Sequence, residues 1–304
     1  MDDAIIVADR LGFAYGDIVA LRDVDLEVPP GRIGLVGANG AGKTTLLKVL
    51  LGILEPAEGS VEVLGHSVAD DALGVRSRVG YMPEGPCLPP DQTAADFLVY
   101  AAELGGLPSR AARQRASDIL TLVGLHEERF RYMGDFSTGM AQRAKTAQAL
   151  VHAPDLVLLD EPAAGLDPEG REEMLALVAR LGEFQIDAVL SSHVLTDIEQ
   201  TCDWVIMLDG GRVLRSGPLS DLATSEEAEV ELLADAAPVV AALAAQGAAV
   251  QQLGNKIYVR HDAGDPFLLV RDVLADTGVG IRRLGARTRT LEDIYLEQEL
   301  SPDG

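Results

Sequence analysis

Short apolar runs alternate with amphipathic helical patterns along roughly the first 225 residues of the chain. The runs "RIGLVG", "DLVLLD" and "DAVLSS" are typical of buried strands, whereas residues 93–123 follow a helical period that "LGGLPS" interrupts. The segment "WVIMLDGGRVLRSG" predicts a closing hairpin with an Asp-Gly-Gly turn. Because strands that alternate with helices form largely parallel sheets, we expect an α/β domain over residues 1–225 with a mixed, largely parallel central sheet.

The remaining residues, 226–304, show a different pattern. The segment "SDLATSEEAEV" looks like a linker, and after it the chain alternates as strand, helix, two strands, helix and strand. The two central strands, "AVQQL" and "KIYVR", meet across a turn at Gly254-Asn255. This βαββαβ order predicts a small α+β domain of the ferredoxin-like kind. A last helix is expected in "TLEDIYLEQEL".

Composition and charge exclude several classes of function. The chain has 304 residues and a formal net charge of −23, so it repels nucleic acid and anionic lipid. No apolar run approaches the ~20 residues that cross a bilayer, and we expect no direct membrane insertion. Any role at a membrane should therefore depend on a protein partner.

The N-terminal segment and the cysteines indicate a cytoplasmic protein. The segment "MDDAIIVADR" is acidic where a signal peptide is basic. Cys87 and Cys202 are far apart and lack the spacing of metal ligands. We expect both to be reduced thiols, buried or half-buried.

A glycine-rich segment carries the most specific chemical signal. "GANGAGKTT" matches the pattern G-x-x-x-x-G-K-[ST] and lies between a predicted strand and a predicted helix. Its glycines allow backbone N–H groups to face phosphate oxygens, Lys43 is placed to reach the β- and γ-phosphates, and Thr44 to bind Mg²⁺. A glycine-rich turn with a chance lysine is the alternative, which the strand–helix context disfavours. The expected nucleotide-binding residues here are Gly37, Ala38, Asn39, Gly40, Ala41, Gly42, Lys43, Thr44 and Thr45.

A pair of acids follows the apolar strand "DLVLLD". Asp160 and Glu161 should lie at the carboxyl edge of the sheet, where ligands bind in α/β folds. Asp160 is expected to hold Mg²⁺ through water, and Glu161 to act as the general base on the attacking water. A solvated pair of acids at a strand end is the alternative.

The segment "FSTGMAQ" precedes a run of helix formers and resembles a second phosphate grip, because helix N-termini offer free N–H groups. Together with the glycine loop and the Asp-Glu pair, it resembles the signature segment of the ATP-binding cassette (ABC) ATPases. The resemblance covers roughly residues 4–225. It implies a P-loop NTPase fold of ABC type, with a β subdomain and a helical subdomain. In that family two cassettes pack head to tail, so that each signature helix grips the ATP of the other.

The resemblance also implies roles for individual residues. Tyr15 resembles the aromatic that stacks on adenine, although an ordinary strand aromatic is the alternative. His193 resembles the switch histidine that contacts the γ-phosphate, and Asp167 the acid that crosses the dimer interface. Glu84 stands near the metal and nucleotide, where the family usually has Gln. The implied signature residues are Ser137, Thr138, Gly139 and Met140.

Three departures from the family pattern bear on turnover. Glu84 adds a negative charge near Mg²⁺ and phosphate. Thr138 and Met140 replace the commoner Gly and Gln of the signature, and Ala164 replaces a frequent Ser. We expect the machinery to persist and turnover to be slow.

The C-terminal domain resembles an accessory domain of some bacterial exporters; a capping or dimer-stabilising module is the alternative.

These patterns predict an ATP-hydrolysing subunit that uses ATP and Mg²⁺ and forms a homodimer. It would energise the export of a drug, antibiotic, lipid or polysaccharide through integral membrane transporter subunits, and lie at the inner face of the cell membrane. A soluble cassette ATPase on ribosomes or DNA is one alternative, although such proteins usually carry two cassettes. A regulatory nucleotide binder is another, and Glu161 argues against it. A measurement of phosphate release distinguishes the regulatory nucleotide binder, which would release none, from the transporter subunit and the soluble ATPase.

Overall fold

The computed structural model describes residues 4–261, 263–288 and 291. The chain divides into two compact units between Leu219 and Ser220, whereas the sequence pattern places the boundary after residue 225. Among the described residues, no helix has the length and apolar character to span a bilayer.

The first unit contains ten strands in two sheets. They are β1 (Ile6–Tyr15), β2 (Ile18–Val28), β3 (Arg32–Val36), β4 (Glu58–Val63), β5 (His66–Ser67), β6 (Val79–Met82), β7 (Leu156–Asp160), β8 (Asp187–Ser192), β9 (Trp204–Asp209) and β10 (Arg212–Pro218). The helices of this unit are α1 (Lys43–Leu50), α2 (Ala72–Arg78), α3 (Ala94–Leu104), α4 (Ser109–Leu122), α5 (Thr138–Leu150), α6 (Pro168–Ala179) and α7 (Leu195–Thr201). Two 3₁₀ turns occur at Met133–Asp135 and Arg180–Phe184, and α8 (Leu219–Ala223) lies at the boundary between the units.

The central sheet has six strands in the order β10-β9-β3-β8-β7-β6. All neighbouring pairs are parallel except β9 and β10, which form the predicted antiparallel hairpin. Every residue of β7 is buried, as its apolar sequence requires for a strand covered on both faces. The mixed, largely parallel sheet that the sequence predicts is thus confirmed.

A second sheet and a group of helices complete the first unit. Strands β2, β1, β4 and β5 form an antiparallel sheet, which packs with α1 around Leu11, Val24 and Leu47. Helices α3, α4 and α5 form the helical part. Helix α3 begins where Thr93 Oγ1 accepts a hydrogen bond from the Asp96 amide. The interruption between α3 and α4 contains Gly106, whose φ of 92° favours glycine.

The second unit has strands β11 (Thr224–Leu232), β12 (Ala249–Leu253), β13 (Lys256–Arg260) and β14 (Ile281–Thr288), with helices α9 (Ala237–Ala245) and α10 (Pro266–Thr277). The strands form one antiparallel sheet in the order β12-β13-β11-β14. Both helices contribute to an apolar core with the sheet, through Val239, Leu243, Val270 and Val273. The βαββαβ prediction is confirmed. The predicted last helix falls outside the described residues, apart from Leu291.

The predicted linker is wrong. All of "SDLATSEEAEV" belongs to α8 and β11. Ala228 and Val230 are fully buried and alternate with Glu227 and Glu229, so the strand has a buried face that its acidic content obscured. The sequence analysis also missed β5 and α2. Cys202 is buried as expected, whereas Cys87 is exposed.

Candidate active site

The carboxyl ends of the parallel strands bring together most of the predicted catalytic segments. The glycine loop follows Val36 at the end of β3, Glu161 follows β7, and His193 follows β8. Because β3, β8 and β7 are successive neighbours in the sheet, these segments meet at one edge.

The glycine loop has the backbone geometry of a phosphate cradle. Gly40 and Gly42 have φ angles of 86° and 107°, in the left-handed region that favours glycine. A Cβ atom at Gly37 would lie 2.3 Å from the Leu208 carbonyl oxygen, so only glycine is accommodated there. Lys43 begins α1, is buried, and donates from Nζ to the Gly37 carbonyl oxygen over 2.7 Å. The loop and the start of α1 therefore combine a helix N-terminus with a cation, a combination that suits an anion.

Asp160 connects the glycine loop to the next strands. The Thr44 hydroxyl donates to Asp160 Oδ2 over 2.8 Å, and the Ser191 hydroxyl donates to Oδ1 over 2.7 Å. Asp160 is fully buried, so both oxygens depend on these donors. The sequence analysis missed Ser191, although its position two residues before His193, beside the Asp-Glu strand, was a usable signal.

A hydroxyl and a carboxylate are ligands that suit Mg²⁺, which keeps several waters and binds through substrate phosphates. Thr44 and Asp160 provide this pair. No group of three or more His, Cys, Asp and Glu residues that could hold a metal occurs within the part of the chain that the structure describes. Among the described residues of this site, Thr44 and Asp160 are thus the pair whose chemistry fits Mg²⁺.

Glu161 lies between two cationic or protonatable side chains. His193 Nδ1 is 2.9 Å from Glu161 Oε2, and Lys43 Nζ is 3.4 Å from Oε1. Glu161 is buried while the His193 side chain is 51 % exposed, so the pair faces an opening to solvent. Glu161 has a φ angle of 51°, which is unusual outside glycine and is the kind of backbone strain found at active sites. The Glu161 amide donates to Ser191 Oγ over 2.9 Å.

Tyr15 lies at the end of β1, in the hairpin with β2. Its ring is 47 % exposed and packs edge-on against Phe13, with ring centroids 4.9 Å apart. Strand β2 touches the glycine loop, because a Cβ atom at Gly42 would lie 2.7 Å from the Ala20 carbonyl oxygen. The hairpin thus places an accessible aromatic ring on an element that packs against the phosphate cradle.

The signature residues are at the start of α5. Ser137 is its N-cap and accepts a hydrogen bond from the Met140 amide over 3.3 Å. Ser137 and Thr138 are exposed, and with Gly139 and Met140 they line a depression of about 520 Å³ that also includes Asp167. Within the described chain, these residues form no hydrogen bond with Lys43 or Glu161. The start of α5 is therefore an accessible helix N-terminus whose cap is Ser137.

The segment after Glu161 is tied to α5 and α6. Gln142 on α5 donates from Nε2 to the Ala164 carbonyl oxygen over 3.1 Å. Asp167 is exposed and caps α6, accepting from the Gly170 amide over 3.0 Å. Arg171 on α6 forms a two-point ion pair with the buried Asp197, at 2.8 and 2.6 Å. The sequence analysis missed these tethers.

Glu84 follows β6, next to the strand that ends in Asp160. Its side chain is exposed, and its carbonyl oxygen accepts from Lys145 Nζ over 2.9 Å. Lys145 is buried, and burial lowers its pKa. Burial and the nearby charge of Asp160 raise the pKa of the Tyr81 hydroxyl in the same region. Neither Lys145 nor Tyr81 was predicted from the sequence.

Comparison with known proteins agrees with this geometry. The family model described as ABC transporter matches residues 21–164. The ABC transporter ATP-binding protein YxlF of Bacillus subtilis is 33 % identical over 294 residues, which cover 93 % of this chain and 96 % of that protein. The bacitracin transport ATP-binding protein BcrA of Enterococcus faecalis is 36 % identical over 220 residues, 72 % of this chain and 70 % of that protein.

Solved structures give the same result. An ATP-binding subunit of an ABC transporter, 30 % identical, superposes with a TM-score of 0.65 and covers 72 % of this chain and 91 % of its own. CbiO1 of Clostridium perfringens, 26 % identical, superposes with a TM-score of 0.66 over 73 % of this chain and 91 % of that chain. The chain belongs to the ATP-binding subunits of ABC transporters.

Proposed function

We propose that this chain hydrolyses ATP with Mg²⁺ in a head-to-tail homodimer and so drives separate integral membrane transporter subunits. The observation that carries the proposal is the position of Glu161, which contacts Lys43 on one oxygen and His193 on the other. These contacts occur at the sheet edge where Thr44 meets Asp160.

ATP binding begins at the glycine loop. The β- and γ-phosphates accept hydrogen bonds from the loop amides, and Lys43 turns from the Gly37 carbonyl and Glu161 to the phosphates. Tyr15 stacks on the adenine ring. An anion at this place relieves Lys43 of its contact with Glu161, which frees the carboxylate for chemistry.

The metal is held by oxygen ligands. Thr44 would hold Mg²⁺ directly and Asp160 would hold it through water, with Glu84 on the neighbouring segment as a further oxygen ligand. Bound Mg²⁺ neutralises charge that develops on the phosphate oxygens. Asp160 is kept in place for this role by Ser191.

Glu161 acts as the general base. Its Oε1 atom is buried and receives no hydrogen bond from the described residues, so it can accept a proton from an attacking water. His193 holds the other carboxylate oxygen, and its exposed ring is placed to contact the γ-phosphate. Positioning and electrostatics supply most of the rate.

The signature residues at the start of α5 are the reason for proposing a dimer. Ser137 and Gly139 contact the γ-phosphate on the opposing chain, helped by Thr138 and Met140, and Asp167 crosses the interface. All four signature residues and Asp167 line one accessible depression. Because one chain carries both half-sites, two identical chains complete two sites.

The transported substrate is expected to be an exported one. The relatives include bacitracin transport proteins and a Nod factor export protein of Cupriavidus pinatubonensis, 35 % identical over 224 residues. The acidic charge of −23 disfavours nucleic acid as the partner. We therefore place the protein in the cytoplasm, at the inner face of the cell membrane, held there by membrane subunits.

The test is the mass in solution of Glu161→Gln with and without ATP and Mg²⁺, measured by light scattering, together with phosphate release by the unaltered protein. We expect Glu161→Gln to dimerise with ATP and to lose at least ~100-fold in turnover, the usual contribution of a general base. Ser137→Arg in the same background should prevent the dimer. Ser109→Arg, at the exposed start of α4, is the matched control and should not.

Two results would contradict the proposal. If Glu161→Gln binds ATP and stays monomeric at high protein concentration, the homodimer is wrong. If the unaltered protein binds ATP and releases no phosphate, the protein is a regulatory nucleotide binder. Lys43→Ala, which removes the phosphate cation, should abolish both binding and dimerisation.

A further inference from the structure

We propose that Lys145 is a positioning residue that fastens the Glu84–Gly85 segment to the signature helix α5, so that the metal edge and the trans phosphate grip move together. Lys145 Nζ donates to the Glu84 carbonyl oxygen over 2.9 Å and to the Gly85 carbonyl oxygen over 3.3 Å. The inference rests on the proposed ATPase function, but its first test does not use nucleotide.

A lysine at this position is costly unless its contacts matter. Lys145 is only 5 % exposed, and within the described ranges no carboxylate forms an ion pair with it. Burying an ammonium group without a paired anion is strongly unfavourable, and Leu or Met would fill the same volume without that cost. The Lys145 ammonium group donates instead to the carbonyl oxygens of Glu84 and Gly85, which are adjacent in sequence. The hydrogen bonds of Lys145 therefore hold this one segment.

The Lys145 contact connects helix α5 to the edge of the central sheet. Lys145 lies about two helical turns after Ser137 on the same rigid helix. The Glu84–Gly85 segment follows β6, which pairs with β7, and β7 ends in Asp160. The lysine thus bridges the helix that presents Ser137 and the sheet edge that presents Asp160.

Charge adds a second reason. Burial lowers the pKa of Lys145, and the nearby Cys87 thiol and the carboxylates of Glu84 and Asp160 oppose that shift. The Lys145 cation therefore offsets the negative charge that Glu84 introduces beside the metal position. A neutral side chain at residue 145 would leave Asp160 and Glu84 without that compensation.

The neighbouring Thr146 provides a matched control. It is fully buried on the same helix, and its hydroxyl donates to the Gln142 carbonyl oxygen within α5 and to Met82 Sδ. Thr146→Val removes a buried polar group without touching Glu84 or Gly85. It therefore reports what general damage to α5 does, and Lys145→Met reports the added loss of the tether.

The first experiment is amide hydrogen exchange of the full chain without nucleotide. We expect Lys145→Met to raise the exchange rate of peptides that contain Glu84 and Gly85 by about tenfold, because a tethered loop opens locally when its contacts are lost. Peptides from α1 should be unchanged, and Thr146→Val should leave the Glu84 peptides at the rate of the unaltered protein. Unchanged exchange at Glu84 in Lys145→Met would overturn the proposal.

The second experiment separates positioning from binding. Lys145→Met should keep its Kd for ATP within about twofold and lose about tenfold or more in kcat, as expected when catalytic groups are displaced. If kcat and the exchange rate both stay at the values of Thr146→Val, Lys145 only fills space and the proposal fails. Should Lys145→Met not fold, Lys145→Gln, which keeps a donor on a shorter side chain, should show the same two changes to a smaller extent. Faster exchange without any ATP hydrolysis by the unaltered protein would sink the proposed function and leave the tether standing.

Discussion

The Ser191 hydroxyl donates a hydrogen bond to Asp160 Oδ1 over 2.7 Å and accepts one from the Glu161 amide over 2.9 Å. One buried hydroxyl on β8 therefore holds both acids at the end of β7. The proposed metal-binding carboxylate and the proposed base are adjacent in sequence, and their relative position depends on a third residue from another strand. Substitution of Ser191 therefore tests whether stability and turnover depend on the fixed positions of Asp160 and Glu161.

We expect Ser191→Ala to lower the free energy of unfolding by about 1–3 kcal/mol, because Asp160 loses a donor in a buried place. Turnover should fall about tenfold while the affinity for ATP changes little, since the glycine loop is untouched. Urea unfolding and steady-state kinetics measure the two effects. Ser77→Ala removes an exposed hydroxyl that donates to the Gly74 carbonyl oxygen, and should change stability by less than about 0.5 kcal/mol. Equal losses in both variants would show that the Ser191 contact is unimportant.

The Arg171–Asp197 ion pair links α6 to the segment around His193. Asp197 also accepts from the Ser192 hydroxyl over 3.4 Å, and that hydroxyl accepts from the Val194 amide over 3.0 Å. Asp197 is only 4 % exposed. Removal of Arg171 therefore leaves a buried carboxylate with one weak donor.

Arg171→Met should lower the free energy of unfolding by about 3–5 kcal/mol, the usual cost of leaving a buried charge unpaired. Arg10→Met is the control, because Arg10 and Asp9 form an ion pair in which both side chains are largely exposed, and such pairs contribute at most about 1 kcal/mol. Chemical denaturation of both variants gives the comparison. A loss below that of Arg10→Met would mean that Asp197 finds another partner when Arg171 is removed.

The segments proposed to bind phosphate and carry out hydrolysis could be located in the sequence because that chemistry requires particular residues close together in sequence. Lys43 and Thr44 are adjacent, and Asp160 and Glu161 end one apolar strand. The residues that hold them were not predictable in the same way. Ser191 and Lys145 reach their partners across 31 and 61 positions of the chain, so their roles depend on how the strands and helices pack.

The fold was predictable where an element is apolar throughout, as in β7, or along one face, as in α3. The error at β11 has a physical reason: alternate glutamates on the polar face gave the segment the composition of a linker, although Ala228 and Val230 are buried. Short elements such as β5 (His66–Ser67) carry no detectable period at all. Cys87 was expected to be buried or half-buried, as cysteines usually are, but its loop leaves it exposed.

Tyr15 should contribute directly to ATP affinity. Alanine substitution of an aromatic that stacks on a base costs about 1–3 kcal/mol, so Tyr15→Ala should raise the Kd for ATP about 5- to 160-fold. Tyr15→Trp keeps a stacking surface and should bind within a few-fold of the unaltered protein. Tyr100→Ala removes another exposed tyrosine, on α3, and should leave the Kd unchanged. Titration with a fluorescent ATP analogue gives the constants. An unchanged Kd in Tyr15→Ala would show that the ring is an ordinary strand aromatic.

His152 should make stability depend on pH. It lies in the turn after α5, its Nε2 atom is buried, and burial lowers its pKa from the ordinary 6.5. The folded protein therefore keeps His152 neutral at a pH where the unfolded chain takes up a proton. Its contribution to stability is complete above pH 6.5 and is lost as the pH falls below that value.

The Tm of the unaltered protein should therefore fall more between about pH 7.5 and about pH 5.5 than the Tm of His152→Gln, which cannot titrate there. Other groups titrate in both proteins, so the difference between the two slopes isolates His152. His126→Gln, at a half-exposed histidine, controls for the loss of a histidine as such and should follow the unaltered protein. Parallel slopes for His152→Gln and the unaltered protein would mean that His152 is protonated as easily in the folded state as in the unfolded chain, and that water reaches its ring in solution.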